Sequence, residues 1–400
     1  MNIYRNLLIL PVCQALSVSS TIVMVTIGGL IGATLAPSQS LATLPVSLTV
    51  VGTALGTVPA SMIMQAVGRR LGFACAALFG ASAATLAALA AMNQDFLLFC
   101  LGALCLGMNV AFVQQYRYAA AESVPLSMAP KAIAWVLIGA IGGAIIGPEL
   151  VTRGHLWVAN HPYVGTLFGI SVLNVMSAGL LLFIKEPSPE IDTTTDQTPR
   201  PLLEIIRQPL YMVAVLGGIT GYGVMTLIMT ATPINMHLVD GHSLQDAASV
   251  IRAHVIAMYA PSLVSAYLIG TLGVKRMMLS GASIMLVCVI IALSGRALMH
   301  YWWALIMLGV GWNFLYVGGT SLLLQTYRQS ERFKAQAVNE FSVFGISALA
   351  SLLAGTLVHQ FGWRTLLLAA LPIVLILVLS VFAARRQFDR PEVSRDAKTS

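Results

Sequence analysis

Arg117 is a cation inside an apolar stretch, in the run Gln114-Gln115-Tyr116-Arg117-Tyr118. A guanidinium at the centre of a bilayer costs about 2.5–3.5 kcal/mol on insertion scales, so it faces a cavity or a partner, or snorkels to the interface. On a helix at about 100° per residue, Asn109, Val113, Gln114, Tyr116 and Arg117 share an arc of about 160°, with Gln115 pointing away. Later in the chain Trp312, Asn313, Tyr316, Gly319 and Thr320 share an arc of about 120°. An amide beside two large rings suits a planar or amphipathic organic molecule, held by stacking and a few hydrogen bonds. The two stripes are therefore candidate surfaces for lining a small-molecule substrate site. Gln14 and Tyr222 are added as lining residues. The plain alternatives are an interfacial aromatic belt for the second stripe and inter-helix packing for Gln14 and Tyr222.

Acidic groups are few, and four places draw them into the argument. Glu149 follows Pro148, and Arg252 lies early in a later apolar run. Both fall at the ends of their helices away from the basic turns, so they are expected to close a gate on that side and to link it to protons. The alternative partner of Glu149 is Arg153, one turn on. Glu340, about six residues into an apolar run, is grouped with the same gating and proton-coupling role. Glu122 and Glu331 are expected to pair with Arg69/Arg70 and Lys275/Arg276. His237, Asp240, His242 and Asp246 have metal-like spacing but sit in a short polar loop, so no metal is expected. The five cysteines lie in apolar runs with no C-x-x-C pair. A P-loop and a nucleophile–base constellation are also missing, so the reading is not an enzyme, without cofactor.

The elements that must hold these residues follow from composition. The chain is 58% hydrophobic and 9% charged, against about 25% charged in a soluble domain. Apolar runs of 18 or more residues read as bilayer-spanning helices, because lipid leaves the backbone no other hydrogen-bond partner. They fall at about 7–34, 41–65, 71–92, 96–119, 132–151, 163–184, 209–233, 247–271, 277–295, 302–325, 336–358 and 364–384. The expected class is thus an all-α membrane protein of twelve transmembrane helices in two pseudo-symmetric six-helix bundles. The bundles are 1–184 and 209–384, joined by a polar linker at 185–208 and followed by a tail at 385–400. Arg5 ahead of the first run mimics a signal peptide, but that run passes Gly32 without an A-x-A site and is read as a span.

Lys and Arg gather in the connections on one side: Arg5, Arg69, Arg70, Lys131, Lys185, Arg200, Arg207, Lys275, Arg276, Arg328, Arg332 and Lys334. The positive-inside rule then puts both termini and the linker in the cytoplasm, with the protein in the cell inner membrane. The net charge of +7 resides in these turns, so nucleic acid is not an expected partner; lipid, protons and a solute are, and the chain is expected to be a monomer.

The halves echo each other at a spacing of about 204 residues, in Gly68-Arg69-Arg70 against Gly273-Val274-Lys275-Arg276, Asn109 against Asn313, and Lys131-Ala132 against Lys334-Ala335. Across its whole length the chain resembles the major facilitator superfamily. The loop that in the family reads G-x-x-x-D-R-x-G-R-R runs here from Ser61 to Arg70. Gly68, Arg69 and Arg70 keep its end, while Gln65 and Ala66 stand where the family has Asp and Arg. Gly139, Gly143, Gly147 and Pro148 resemble the fifth-span pattern of proton-coupled antiporters, although Val151 and Thr152 replace two glycines that often follow. The family's Arg near the start of span 4 is absent, with Ala103 at that place. The resemblance implies a secondary transporter working by alternating access, with proton-coupled export of a small organic molecule as the first expectation. Uptake of a nutrient or anionic metabolite is the second, since Arg117 suits a carboxylate. A membrane sensor or lipid-handling protein without solute turnover is the third.

Overall fold

A chain with so few charges and such long apolar runs satisfies its backbone internally. All regular structure among the described residues is accordingly helical. The computed structural model describes residues 3–38, 41, 44–154, 157–159, 161, 163–186 and 199–388. In order these form α1 (Ile3–Leu35), α2 (Leu44–Met92), α3 (Phe96–Val113), α4 (Tyr116–Ala121), α5 (Ala129–Gly154), α6 (Val164–Leu181) and α7 (Leu202–Ile206). There follow α8 (Pro209–Ile234), α9 (Leu244–Tyr259), α10 (Ser262–Ser294), α11 (Leu298–Leu323), α12 (Arg332–Ala383) and α13 (Arg385–Phe388).

Ten helical runs among the described residues are long and apolar enough to cross a membrane. Two of them, Leu44–Met92 and Ser262–Ser294, are bent at Gly68 (φ 82°, ψ 168°) and Gly273 (φ 78°, ψ 160°). Counting their second arms separately, and joining α9 to the first arm of α10, gives the twelve expected spans. This corner of backbone space is open almost only to glycine, so one residue turns the chain where a loop would otherwise be needed. The arms of α2 fold back on each other. A Cβ on Gly72 would lie 2.9 Å from Met64 Cγ, whereas eight residues of straight helix span about 12 Å.

The chain forms two compact units. Unit one is Met1–Gln197 with Arg332–Leu353, and unit two is Thr198–Glu331 with Ala354–Ser400. The first arm of α12 thus groups with the N-terminal bundle, which differs from the expected division at 184 and 209. The linker differs too over its described end. Residues 202–206 form α7 with Ile205 fully buried, and Arg200 donates to both oxygens of Glu331 at 2.9 and 2.7 Å. Residues 187–198 and the tail from 389 lie outside the described residues.

Unit one is held by close backbone approach, because lipid is as apolar as leucine and helices associate through packing rather than water release. Gly139, Gly143 and Gly147 of α5 run along the carbonyls of Pro11, Ala15 and Ser19 on α1. A Cβ at each would lie 2.1, 2.8 and 3.2 Å from those oxygens. Gly52 and Gly107 bring α2 and α3 together in the same way, each Cβ position about 2 Å from a carbonyl of the other helix. Unit two repeats the device with Gly281 of α10 and Gly311 of α11, each set against the other's carbonyl. At the start of α9, Ser243 and Asp246 form a reciprocal capping box, whose hydrogen bonds hold the Asp246 carboxyl below its usual range.

Candidate functional site

In unit one the fourth span is broken. α3 ends at Val113 and α4 begins at Tyr116, with Gln114 and Gln115 in a tight turn between them. The turn rotates everything after it relative to an ideal helix, and this corrects the expected stripe. Tyr116 is buried in the bundle core, edge-on to Phe73 at 4.8 Å. Gln115, expected to point away, is fully buried, and both of its amide atoms lack a hydrogen-bond partner. Asn109 donates to Asn174 of α6 at 3.1 Å, a bond between helices of the same unit.

Arg117 meets a partner. It is 4% exposed, and its Nη2 donates to Glu340 Oε1 at 2.6 Å. Its Nη1 donates to the carbonyl oxygen of Gln114 at 2.5 Å, taking up an acceptor at the break. Tyr118 Oη and Asn339 Nδ2 also donate to Glu340 Oε1, at 2.8 and 2.7 Å. The guanidinium lies over the Tyr118 ring, 4.5 Å from its centroid. One oxygen of Glu340 thus receives three donors, while Oε2 is buried with none.

Nearer the basic end, Arg69 of α2 joins the end of α4 and the start of α12 in a second ion network. Arg69 is fully buried and donates from Nε and Nη2 to Glu122 at 2.8 and 2.7 Å. Gln336 Oε1 accepts from Arg69 Nη2 at 2.9 Å, and Arg332 Nη1 lies 3.4 Å from Glu122. Ser61 donates to the carbonyl of Phe333. Arg332, Gln336 and Glu340 follow at intervals of four, so one face of α12 meets α4 all along this ladder. Glu186 completes the corner after Gly68, accepting from the backbone N–H groups of Arg69 and Arg70 at 3.2 and 2.6 Å. Gln65 and Ala66, where the family has Asp and Arg, are exposed. Glu122 pairs with Arg69 as expected, whereas Glu331 pairs with Arg200 rather than with Lys275 or Arg276.

Unit two holds the aromatic group. Trp312 and Tyr316 of α11 stack at 4.7 Å with 20° between their planes. Tyr222 of α8 stands edge-on to both, at 5.2 and 5.4 Å, and Tyr259 of α9 edge-on to Trp312 at 5.7 Å. Trp312 is 1% exposed and its indole N–H has no acceptor. Asn313 turns away from this cluster. It donates to the carbonyl of Met258 and to Ser262 Oγ at 2.8 and 2.7 Å, where the break between α9 and α10 frees an acceptor. Gln14 is buried on α1.

Glu149 pairs along its own helix with Arg153 at 3.0 Å, both side chains exposed. This is the alternative the spacing left open, in place of the expected gate partner. Arg252 is exposed on α9. In the loop after α8, Asp240 accepts from Arg296 at 3.2 Å and from Tyr301; the His237 side chain lies outside the described residues. No group of three or more His, Cys, Asp or Glu placed to hold a metal occurs among the described residues.

The sequence matches a family model described as Major Facilitator Superfamily over residues 8–332 and 241–399. It is 39% identical over 376 residues to the riboflavin transporter RfnT of Brucella anthropi, covering 94% of each chain. It is 29% identical to an uncharacterized MFS-type transporter, YdeG of Bacillus subtilis, over 95% of this chain and 92% of that one. Among solved structures, a point variant of the Escherichia coli fucose:proton symporter FucP superposes with a TM-score of 0.70 at 15% identity, covering 97% and 98% of the two chains. The human organic anion transporter MFSD10 gives 0.76 at 11% identity, covering 95% and 100%. At such identities the structural likeness speaks for the fold alone.

Proposed function

Because the chain belongs to the major facilitator superfamily, and is a secondary transporter rather than an enzyme, we propose that its solute is a planar heteroaromatic compound of the flavin class. The observation that carries this is the aromatic group of Trp312, Tyr316, Tyr222 and Tyr259 with its unpaired indole N–H. Rings already set edge to face offer stacking surface at small entropic cost, and a buried donor without an acceptor favours a ligand that brings a carbonyl oxygen. The 39% identity to a protein named a riboflavin transporter supports the same class.

Proton coupling belongs to this proposal and rests on Glu340. Its bare Oε2 takes the proton, and the neutral acid loosens its hold on Arg117. The groups facing Glu340 are Arg117 and Tyr118 of α4 and Asn339 of α12, with Arg332, Glu122 and Arg69 further along the ladder. A secondary carrier follows the sum of its gradients, so the same site serves export by antiport or uptake by symport. The proposal puts both termini and the basic turns on the cytoplasmic side of the cell inner membrane.

The test is riboflavin movement in proteoliposomes, followed by its own fluorescence, with pH gradients of either sign. The expected result is saturable movement faster under one sign of gradient, and that sign gives the direction. Trp312→Ala should abolish it, and Trp312→Phe should weaken apparent affinity about three- to tenfold by removing one hydrogen bond. Glu340→Gln should keep downhill movement and lose the response to pH. If riboflavin neither moves nor competes, the solute class is wrong; if Glu340→Gln still responds to the gradient, the proton sits elsewhere.

A further inference from the structure

Unit one carries a groove of about 490 Å³, lined by Leu7 and Leu8 of α1, by Val124 and Met128 ahead of α5, and by Ala132 and Trp135 at the start of α5, with Lys131 among them. Apart from Lys131, every side chain lining it is apolar. The groove is open to the surroundings, with Leu8 66%, Trp135 49% and Met128 44% exposed.

Its wall is fixed by an argument that begins with Pro11. Proline has no N–H, so a helix carrying one leaves the carbonyl four residues earlier without a donor. Here that carbonyl belongs to Leu7, and the Trp135 indole N–H donates to it at 2.8 Å. One turn further along α5, Gly139 lets the backbones of α5 and α1 touch at Pro11. The tryptophan is thus tied across the two helices by its only polar atom, with the rest of the ring left as an apolar surface.

We propose that this groove binds one anionic glycerophospholipid of the surrounding bilayer, with an acyl chain along Trp135 and the phosphate on Lys131. A slot without polar atoms accepts hydrocarbon, and in a membrane protein the hydrocarbon at hand is lipid. The rim charge selects the head group: Lys131 is exposed, and no carboxylate pairs with it among the described residues. A tryptophan and a lysine at one end of a span are the residues that anchor to head groups. Binding here is independent of the solute and of the proton route, so it stands or falls apart from the proposed function.

The experiment uses the full-length protein in vesicles and quenches tryptophan fluorescence with lipids brominated on their acyl chains. Comparison with Trp135→Phe isolates the Trp135 signal. Brominated phosphatidylglycerol should quench it at about one-fifth the mole fraction needed for brominated phosphatidylcholine, the preference expected of one interfacial lysine. Lys131→Glu should remove the preference and Lys131→Arg should keep it. Added inorganic phosphate should change neither. Equal quenching by the two lipids would make Trp135 an ordinary lipid contact and overturn the proposal. So would a preference that survives Lys131→Glu, or one abolished by free phosphate.

Discussion

Removing one member of a buried ion pair leaves the other charge uncompensated, and Arg117 with Glu340 allows that experiment at 4% and 1% side-chain exposure. Arg117→Ala should cost about 3–5 kcal/mol, whereas Arg117→Leu with Glu340→Leu should return most of it, since an apolar pair of similar volume replaces a buried ion pair at little cost. Thermal unfolding of purified protein in detergent measures both; a double variant no better than the single would show that the pair is not the source. The sequence made Arg117 legible because a lone cation in an apolar run is conspicuous. It also marked Glu340 by depth, but it could not join two residues 223 positions apart. It missed Gln115 for a definable reason. The stripe was drawn on a continuous helix, and the turn at Gln114–Gln115 carries Gln115 inward and Tyr116 into the core.

At the scale of elements, glycine does two separable jobs. Along α5 it permits close approach, and the spacing ranks the damage a methyl group would do. Gly139→Ala, at 2.1 Å from a carbonyl oxygen, should destabilise most, then Gly143→Ala at 2.8 Å, then Gly147→Ala at 3.2 Å. The range is about 1–3 kcal/mol, occasionally more, read as loss of folded protein on size-exclusion after heating; equal effects at all three would refute the ranking. At Gly273 nothing lies within 4 Å of a Cβ, so Gly273→Ala isolates the backbone cost of the bend, about 1–3 kcal/mol. Gly68→Ala should cost more, because its Cβ would lie 2.6 Å from the Glu186 carboxylate that caps Arg69 and Arg70. The Gly-x-x-x-Gly run of α5 was plain in the sequence. Its packing partner was not, because a periodic stripe does not say which helix it meets.

For the molecule as a whole, hydropathy made the spans legible and the Lys and Arg bias gave an orientation that labelling can check. In a background lacking the five cysteines, Arg70→Cys and Arg276→Cys should stay protected from an impermeant thiol reagent added outside cells, while Arg153→Cys and Arg296→Cys react. Labelling of the first two from outside would reverse the topology. The grouping of Arg332–Leu353 with unit one was not legible. It depends on Arg332, Gln336 and Glu340 finding Glu122, Arg69 and Arg117, contacts that no internal repeat encodes.

The bend at Gly68 also governs how the chain can be lengthened. A connector of one residue has no slack. The two arms of α2 are consecutive words without a space, and Glu186 is docked on the first two N–H groups after the junction. A peptide tag inserted between Gly68 and Arg69 would separate Arg69 from Glu122 and uncap the second arm in one step. Growth by insertion, in the laboratory or over generations, is therefore closed at this corner.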